Sequence, residues 1–252
     1  MATYNTIGIT LFAYKYKGTE RLASFYTTDR GKVQATVSGV GRPGSKLAPA
    51  IEPLTLSKLF LVEGRKLDRL TQCEVLNTFY DLRRDLHRLA LASYTAELVA
   101  RTTEPGEPDP VLFDALNRTL SAMCSAEQPE LTAWAFVLRY LDMAGIVPVI
   151  DCCVACMGPL DAGAAYMPAL GGCVCKTCGG SFEGGTPLSA RTRGALHTML
   201  TMPPDRIDRL KLAPGVQGEV RELLRRHIRY HLGVELKTEK FLEKMGRAGP
   251  AA

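Results

Sequence analysis

RLASFYTTDRGKVQATVS, residues 21–38, is the stretch from which the fold of the N-terminal region can be predicted. Its middle, Asp29-Arg30-Gly31, has the residue types of a tight turn. After the turn, apolar and polar side chains alternate, with Val33, Ala35 and Val37 on one face. Such alternation is typical of a strand that buries one face. We therefore expect a β-hairpin here.

Three more strands are predicted on either side of this hairpin. The five predicted strands are Tyr4 to Tyr16, Arg21 to Thr28, Lys32 to Ser38, Leu54 to Glu63 and Leu67 to Leu76. A loop rich in Gly and Pro, Gly39 to Pro49, separates the third strand from the fourth. Five short strands with one long loop at this position fit a small closed barrel such as an OB-fold. A small β-sandwich also fits the pattern.

A helical period replaces the alternation from Phe79 onward, and Trp134 lies on one of its apolar stripes, where core packing is expected. The predicted helical segments are Leu82 to Ala100, Val111 to Cys124, Pro129 to Ala144, Ala190 to Leu200, Val220 to Leu232 and Glu239 to Met245. We therefore predict an α+β protein. It has a five-stranded OB-like barrel over residues 1–79 and an α-helical domain over residues 80–252.

Cysteines interrupt the helical region within residues 151–185. They include two Cys-x-x-Cys pairs, Cys153 with Cys156 and Cys175 with Cys178. Each pair can point two thiolates at one ion, and two pairs complete a tetrahedral site. Four protein ligands leave no position for water. The spacing therefore predicts one structural zinc ion (Zn2+) in an inserted zinc-binding loop, rather than a catalytic ion.

Two further thiols leave the ligand set open. Cys152 and Cys173 lie close in sequence to the paired residues, so either could replace Cys153 or Cys175. Reduced or redox-active cysteines without a metal are the other interpretation. The chain shows no secretory signal and no apolar run that could span a membrane, so we expect it in the cytoplasm. In that reducing compartment, paired cysteines favour metal over disulfides.

Basic residues are concentrated at the two ends of the chain. The net charge is +5, but residues 1–66 and 189–252 carry an excess of Lys and Arg, while residues 67–188 are acidic. Basic ends can meet a polyanion or can simply be solvated. The candidate phosphate contacts are Arg30, Lys32, Arg42 and Lys46 in the barrel and Arg221, Arg225 and Arg229 in the C-terminal helix. The arginine row could equally be paired with Glu219 and Glu222.

Aromatic residues near these barrel cations could stack on nucleic-acid bases. Tyr14, Tyr16 and Tyr26 are the candidates, with Lys15 and Lys17 nearby. They could equally be strand or core residues, and for Tyr26 we favour the core.

Motifs of common enzymes are missing from the sequence. Gly39 to Gly44 matches Gly-x-Gly-x-x-Gly after a strand, but Pro43 and Pro49 bracket it, so no nucleotide-binding helix is expected. There is no Walker loop, no His-Glu-x-x-His and no Gly-x-Ser-x-Gly. His227 and His231 lie at i, i+4 on an apolar stripe, where partly buried histidines are a better interpretation than a metal pair. The chain is therefore predicted not to be an enzyme.

Taken in order, these features resemble the RecO family of bacterial recombination and repair proteins. The likeness covers nearly the whole chain. It rests on Thr28 to Leu47 with its Arg-Pro-Gly-Ser-Lys core, Glu63 to Phe79, Leu141 to Cys178, and Tyr230 to Leu242. The sequence departs from the family pattern at Met157, which precedes Gly158, and at the additional Cys152 and Cys173.

The resemblance implies a non-enzymatic recombination mediator that is cytoplasmic and associated with the nucleoid. Proteins of this family bind single- and double-stranded DNA, anneal complementary strands and, with RecR, help RecA displace the single-strand-binding protein SSB. The zinc ion would tie the inserted loop to the helical domain. An RNA-binding barrel-plus-zinc protein is the main alternative. A zinc enzyme and a scaffold for acidic partners are further ones.

Overall fold

Five strands close into a barrel in the computed structural model, which describes residues 2–248 of the chain. The strands are β1 (Thr3–Lys15), β2 (Arg21–Thr27), β3 (Gly31–Val37), β4 (Leu56–Val62) and β5 (Asp68–Asn77). Their order is β1-β2-β3-β5-β4, and β4 pairs with β1 to close the barrel. All pairs are antiparallel except β3 with β5. This closed arrangement confirms the predicted OB-like barrel and excludes the sandwich.

Apolar residues on the inner face of the strands form the barrel core. On β3, Val33, Ala35 and Val37 are at most 8% exposed, as the alternation predicted. On β2, Phe25 pairs with Val33, and Ala23 pairs with Ala35, so the two strands contribute neighbouring residues. The interior is therefore filled by side chains, and any large ligand of the barrel must bind its outer surface or its loops.

The long loop after β3 folds over one end of the barrel. Residues 39–48 form successive turns, and no α-helix begins at the Gly-x-Gly-x-x-Gly segment, so a dinucleotide site of the Rossmann type is excluded. One turn of 3-10 helix, Pro49–Ile51, and the side chain of Leu47 pack against the barrel core. These apolar contacts hold the loop in place, while its basic residues, Arg42 and Lys46, stay exposed.

Seven helices follow the barrel within the described residues. They are α1 (Leu86–Thr102), α2 (Pro110–Met123), α3 (Pro129–Met143), α4 (Lys176–Gly179), α5 (Ala190–Thr201), α6 (Pro214–His227) and α7 (Lys237–Ala248). The helical period predicted all of these except α4, which is a single turn. In the part of the chain that the structure describes, no helix is both long and apolar enough to span a membrane.

The chain divides into two compact units. One contains the residues up to Ser125 together with the segment from Leu236 onward, and the other is Ala126–Glu235. The first unit therefore combines the barrel with α1, α2 and α7. The boundary predicted between residues 79 and 80 separates strands from helices, and it stays a prediction.

Helix α1 covers part of the outer face of the barrel. Ser24 and Tyr26 point outward from β2 yet are at most 1% exposed, because α1 packs against β1 and β2. Lys32, which is paired with Tyr26 across the strands, donates from Nζ to the Ala100 carbonyl at 2.8 Å and to the Thr103 carbonyl. OB-folds commonly bind oligonucleotides on the face of strands 2 and 3. In this protein, α1 covers part of the face formed by β2 and β3.

The unit Ala126–Glu235 combines helices with a small sheet. Its strands are β6 (Ala165–Met167), β7 (Gly172–Val174) and β8 (Thr186–Pro187), in the order β7-β6-β8. Strands of two or three residues are too short to show alternation, and this sheet was not predicted. Trp134 on α3 is 5% exposed, as expected for a core residue.

Helix α6, part of which was predicted as Val220 to Leu232, ends earlier than predicted. We expected it to run to Leu232, but the α-helix ends at His227 and one π turn, Ile228–Leu232, follows. Gly233 then takes a left-handed conformation with φ of 66°, which suits glycine and stops the helix.

Candidate metal centre and nucleic-acid surfaces

Two backbone turns carry the four cysteines predicted as metal ligands. In the first, the Met157 amide donates to the Cys153 carbonyl at 2.8 Å, and Met157 has a positive φ of 59°. In the second, the Gly179 amide donates to the Cys175 carbonyl at 2.8 Å. Cys175 directly follows β7 and Cys178 lies on α4, so the small sheet positions the second turn.

The structure brings four sulfur atoms within 4.8 Å of one another: those of Cys153, Cys156, Cys175 and Cys178. Zinc–sulfur bonds of about 2.3 Å place the sulfurs of a tetrahedral site about 3.8 Å apart, so the cluster fits one ion. Cys153 and Cys175 are buried, whereas Cys156 is exposed. Cys152 and Cys173 lie outside the cluster. The geometry therefore favours the four predicted ligands over sets that include Cys152 or Cys173.

Backbone amides stabilise negative charge in this cluster. The pKa of Cys153 is lowered to about 6, mainly by the amide of Cys175, although burial opposes the shift. The pKa of Cys178 is raised to about 12, because hydrogen bonds with the side chains of Cys175 and Cys156 favour its protonated form. Four thiols this close cannot all ionise without a cation, so binding an ion releases protons. Thiolates select zinc or iron–sulfur chemistry over magnesium and calcium.

The cluster also forms the core of its own segment. Cys153 and Cys175 pack with Met167 and Val174 into a small group of buried residues. Two of these four residues are thus candidate ligands. A core of this size buries little apolar surface, so a bound ion would supply much of the stability of the segment.

The two predicted DNA contacts of the hairpin have different surroundings. The Arg30 guanidinium lies 3.9 Å from the centre of the Tyr4 ring and 4.0 Å from the Glu63 carboxylate, and its side chain is 45% exposed. A phosphate can therefore still reach Arg30. Lys32 instead donates to the carbonyls at the end of α1, and burial lowers its pKa. The geometry gives Lys32 a role in holding α1 on the barrel.

Three loops of the barrel carry exposed basic residues, and we call them together the three-loop surface: residues 16–20, 39–48 and 63–67. Arg21 at the start of β2 pairs with Val37 at the end of β3, which places the first loop there. Strand β5 runs parallel to β3 and begins opposite Ala35, so the third loop, which precedes β5, lies toward the amino end of β3, where Glu63 is 4.0 Å from Arg30. The second loop continues directly from β3.

The three-loop surface carries five exposed basic residues, which we call the loop cations: Lys17, Arg42, Lys46, Arg65 and Lys66. Arg42 and Lys46 were predicted as DNA contacts. Arg65 and Lys66 were missed, because the sequence indicated only a turn there. Knowledge of the OB-fold could have found them, since the loop between β4 and β5 is one of the two that commonly bind oligonucleotides in that fold.

The predicted arginine row, which lies on α6 and the π turn after it, is partly neutralised. Arg225 donates to Glu222 at 2.6 Å, and Arg229 lies 3.2 Å from a carboxylate just after the π turn. Arg221 is exposed. Pairing with Glu222 was one of the two interpretations of the row. Within the described residues Glu219 makes no such ion pair, and it accepts hydrogen bonds from the start of α5.

Comparison with known proteins extends over nearly the whole chain. Residues 1–79 match the family model "Recombination protein O N terminal", and residues 83–240 match "Recombination protein O C terminal". The chain belongs to the RecO family. It is similar to the DNA repair protein RecO of Pelotomaculum thermopropionicum, with 33% identity over 98% of this chain and 96% of that protein.

Two further relatives can be aligned with almost the whole of this RecO family member. The DNA repair protein RecO of Moorella thermoacetica is 32% identical over 95% of this chain and 90% of its own. That of Desulforudis audaxviator is 30% identical over 98% of each. The resemblance inferred from the order of the motifs is thus confirmed, and the chain is a member of a DNA repair family.

In this RecO family member, His227 is a core residue rather than half of a metal pair. Its Nε2 donates to the Ile146 carbonyl at 2.5 Å, and its Nδ1 accepts from the Tyr166 hydroxyl at 2.5 Å. Burial lowers its pKa to about 4, so the ring is neutral at pH 7. His231 stacks on it with ring centres 4.3 Å apart, but both nitrogens of His227 are already used.

Proposed function

We propose that this RecO family member is a non-enzymatic mediator of recombinational DNA repair. It binds single- and double-stranded DNA and anneals complementary strands. With RecR it helps to load RecA onto strands coated by SSB, in the cytoplasm at the nucleoid. The observation that carries the proposal is the three-loop surface, where exposed cations without carboxylate partners in the described residues lie on the loops of a closed barrel.

The loop cations have no carboxylate partners within residues 2–248, whereas the acidic residues of the same loops are already bound. Glu20 accepts a hydrogen bond from the Ser38 hydroxyl at 2.7 Å, and Glu63 lies 4.0 Å from Arg30. An uncompensated Lys or Arg can replace a counterion on a DNA phosphate, which gives a favourable and salt-dependent free energy of binding. The charge of this surface therefore supports phosphate binding.

Exposed tyrosines beside the first loop support binding of unpaired bases. Tyr14 and Tyr16 are 49% and 40% exposed. Tyr14 stacks on Phe12 with ring centres 6.1 Å apart, and Lys17 Nζ lies 5.3 Å from the centre of the Tyr16 ring. Rings for bases next to cations for phosphates are the usual means by which OB-folds hold single strands. Duplex binding would use the phosphate contacts alone.

We propose one structural zinc ion held by the four clustered cysteines. The 4.8 Å sulfur cluster and the thiolate chemistry support zinc, and the fully protein-bound site leaves no position for a substrate. The ion ties the turn at Cys153 to β7 and α4. This arrangement supports a structural role and a non-enzymatic protein.

The predicted DNA contacts are kept with one exception. The proposed contacts are Arg30, Arg42, Lys46, Arg221, Arg225 and Arg229, to which we add Lys17, Arg65 and Lys66. We assign Lys32 to stabilising α1, because its ammonium already donates to two carbonyl groups.

Titration of the protein with a labelled single-stranded oligonucleotide at rising salt tests this function. We expect binding at micromolar concentration or tighter at low salt, with steep weakening as salt rises. Addition of the complementary strand should show annealing faster than in the absence of protein. A matched RNA strand that competes better than DNA would favour the RNA-binding alternative. Absence of binding at low salt would contradict the proposal.

A further inference from the structure

A pocket of about 530 Å³ opens beside α6 in the unit Ala126–Glu235. Its wall on the helix side is formed by Arg225, Arg226, Arg229 and Tyr230. The opposite wall is the chain around the end of β6, including Met167 and Pro168. Ligand pockets in proteins commonly measure about 300 to 1,000 Å³, so this pocket can take a small ligand. We call it the arginine pocket.

Arg226 is fixed in the pocket by neutral partners. Its guanidinium donates to the Gly184 carbonyl at 2.7 Å and to the Thr186 hydroxyl. These contacts orient the side chain without cancelling its charge. A guanidinium held in this way is suited to bind a phosphate, because little rotational freedom is lost when the anion arrives.

The other two arginines line the pocket in exposed ion pairs. Arg225 pairs with Glu222 and is 34% exposed, while Arg229 lies 3.2 Å from Glu235 and is 65% exposed. Exposed pairs of this kind contribute little free energy, so a phosphate can compete for them. Glu183 is the carboxylate among the lining residues, against three guanidinium groups. An anion that displaces Glu222 and Glu235 from these exposed pairs therefore meets three guanidinium groups and one carboxylate in the lining.

Tyr230 adds a flat surface next to these cations. Its ring is 57% exposed, and its edge-on contact with His231, at 5.1 Å between ring centres, sets its orientation. Met167 and Pro168 supply a buried apolar wall. A ring, an apolar wall and several guanidinium groups match the base and the phosphate of a nucleotide.

We propose that the arginine pocket binds one unpaired nucleotide of a DNA strand, with its base on Tyr230 and its phosphate on the arginines. The inference rests on the proposed DNA-binding function and adds a second single-strand site to it. The first site, at the three-loop surface, belongs to the other compact unit. Annealing requires that two strands be held at once, and two single-strand sites on one chain meet that requirement.

Photocrosslinking of the full chain with a short single strand that contains 5-iodouracil tests the proposal. This base crosslinks to side chains that stack on it, and mass spectrometry of the digested protein identifies them. We expect crosslinks at Tyr230 and, separately, at Tyr14 or Tyr16. Arg229→Met should lower the yield at Tyr230 several-fold. Arg118→Met is the matched control, because Arg118 is also in an exposed ion pair and its side chain is 67% exposed.

The outcomes separate this inference from the proposed function. Crosslinks in the barrel without one at Tyr230 would overturn the pocket and leave the function intact. A strand that neither binds nor crosslinks anywhere would overturn both. Equal yield at Tyr230 from the same base within a duplex would also overturn the pocket, since a paired base cannot lie on the ring. Tyr230→Leu, at an exposed position, should abolish this crosslink in a folded protein.

Discussion

The barrel and the cysteine segment of this RecO family member are stabilised in different ways. The barrel has a continuous apolar core drawn from β2, β3, β4 and β5. The core of the cysteine segment consists of Cys153, Met167, Val174 and Cys175, and its strands have only two or three residues. Apolar burial can hold the barrel, whereas we expect the segment to depend on a bound ion. The proposed binding of DNA to the barrel and the proposed structural use of a metal should therefore be separable.

Loss of one metal ligand should have the largest effect. Cys156→Ser removes an exposed side chain, so little packing is lost with the thiol. We expect loss of bound zinc and of amide protection across residues 151–185, because structural zinc contributes about 10 to 16 kcal/mol in small zinc domains. Protection of the barrel strands should remain. Metal analysis together with hydrogen exchange measures both effects.

Cys152→Ser is the matched control for that experiment. Cys152 is adjacent to a ligand but lies outside the sulfur cluster, so this variant should keep one zinc ion per chain. Equal zinc loss from Cys152→Ser and Cys156→Ser would show that the ligand set is wrong.

A cavity in the barrel core should destabilise the barrel and leave the bound zinc in place, which is the opposite of the effect expected for Cys156→Ser. Leu59 is fully buried on β4, so Leu59→Ala should lower the free energy of unfolding by about 2 to 5 kcal/mol. Zinc content should not change. Ile7→Ala, at a position that is 39% exposed on β1, serves as the control and should cost much less. Urea unfolding measures the difference, and equal costs for the two variants would contradict the assigned core.

The pH dependence of stability should include a contribution from His227. Its pKa is about 4 in the folded protein and about 6.5 in an unfolded chain, so the unfolded state binds more protons between these values. This contribution is fully present above about pH 6.5 and is lost as the pH falls to about 4, by about 3 kcal/mol. His227→Gln should lack this loss. The cysteines titrate in both proteins, so the difference between the two unfolding curves isolates the histidine.

Removal of the Lys32 charge should have the smallest effect. Lys32→Met leaves the end of α1 without its cation, and we expect a loss of stability of about 1 kcal/mol. Because the ammonium is directed to the helix, the salt dependence of DNA binding should be the same as in the wild-type protein. A less steep salt dependence in this variant would show that Lys32 contacts DNA and would contradict its assignment to α1.

Local patterns predicted much of this fold and of its candidate metal centre. The alternation at Val33, Ala35 and Val37 and the two Cys-x-x-Cys pairs depend on neighbours in sequence, so they were visible before the structure. The contact of Lys32 with α1 was not, since it joins residues far apart in the chain. The position of the loop that carries Arg65 and Lys66, with Glu63 4.0 Å from Arg30, likewise depends on the strand order and register, which residue spacing does not reveal.

The salt dependence of single-strand binding tests the central claim most directly, in the variant with both Arg42→Ser and Lys46→Ser. The slope of the logarithm of the binding constant against the logarithm of the salt concentration should become less steep by about 1.4. Each lost phosphate contact removes about 0.7 from this salt slope for a single strand. A variant with Arg84→Ser and Arg118→Ser, which removes two exposed and ion-paired arginines on the 3-10 turn before α1 and on α2, should keep the wild-type slope. The same slope in all three proteins would contradict the assignment of DNA binding to the three-loop surface.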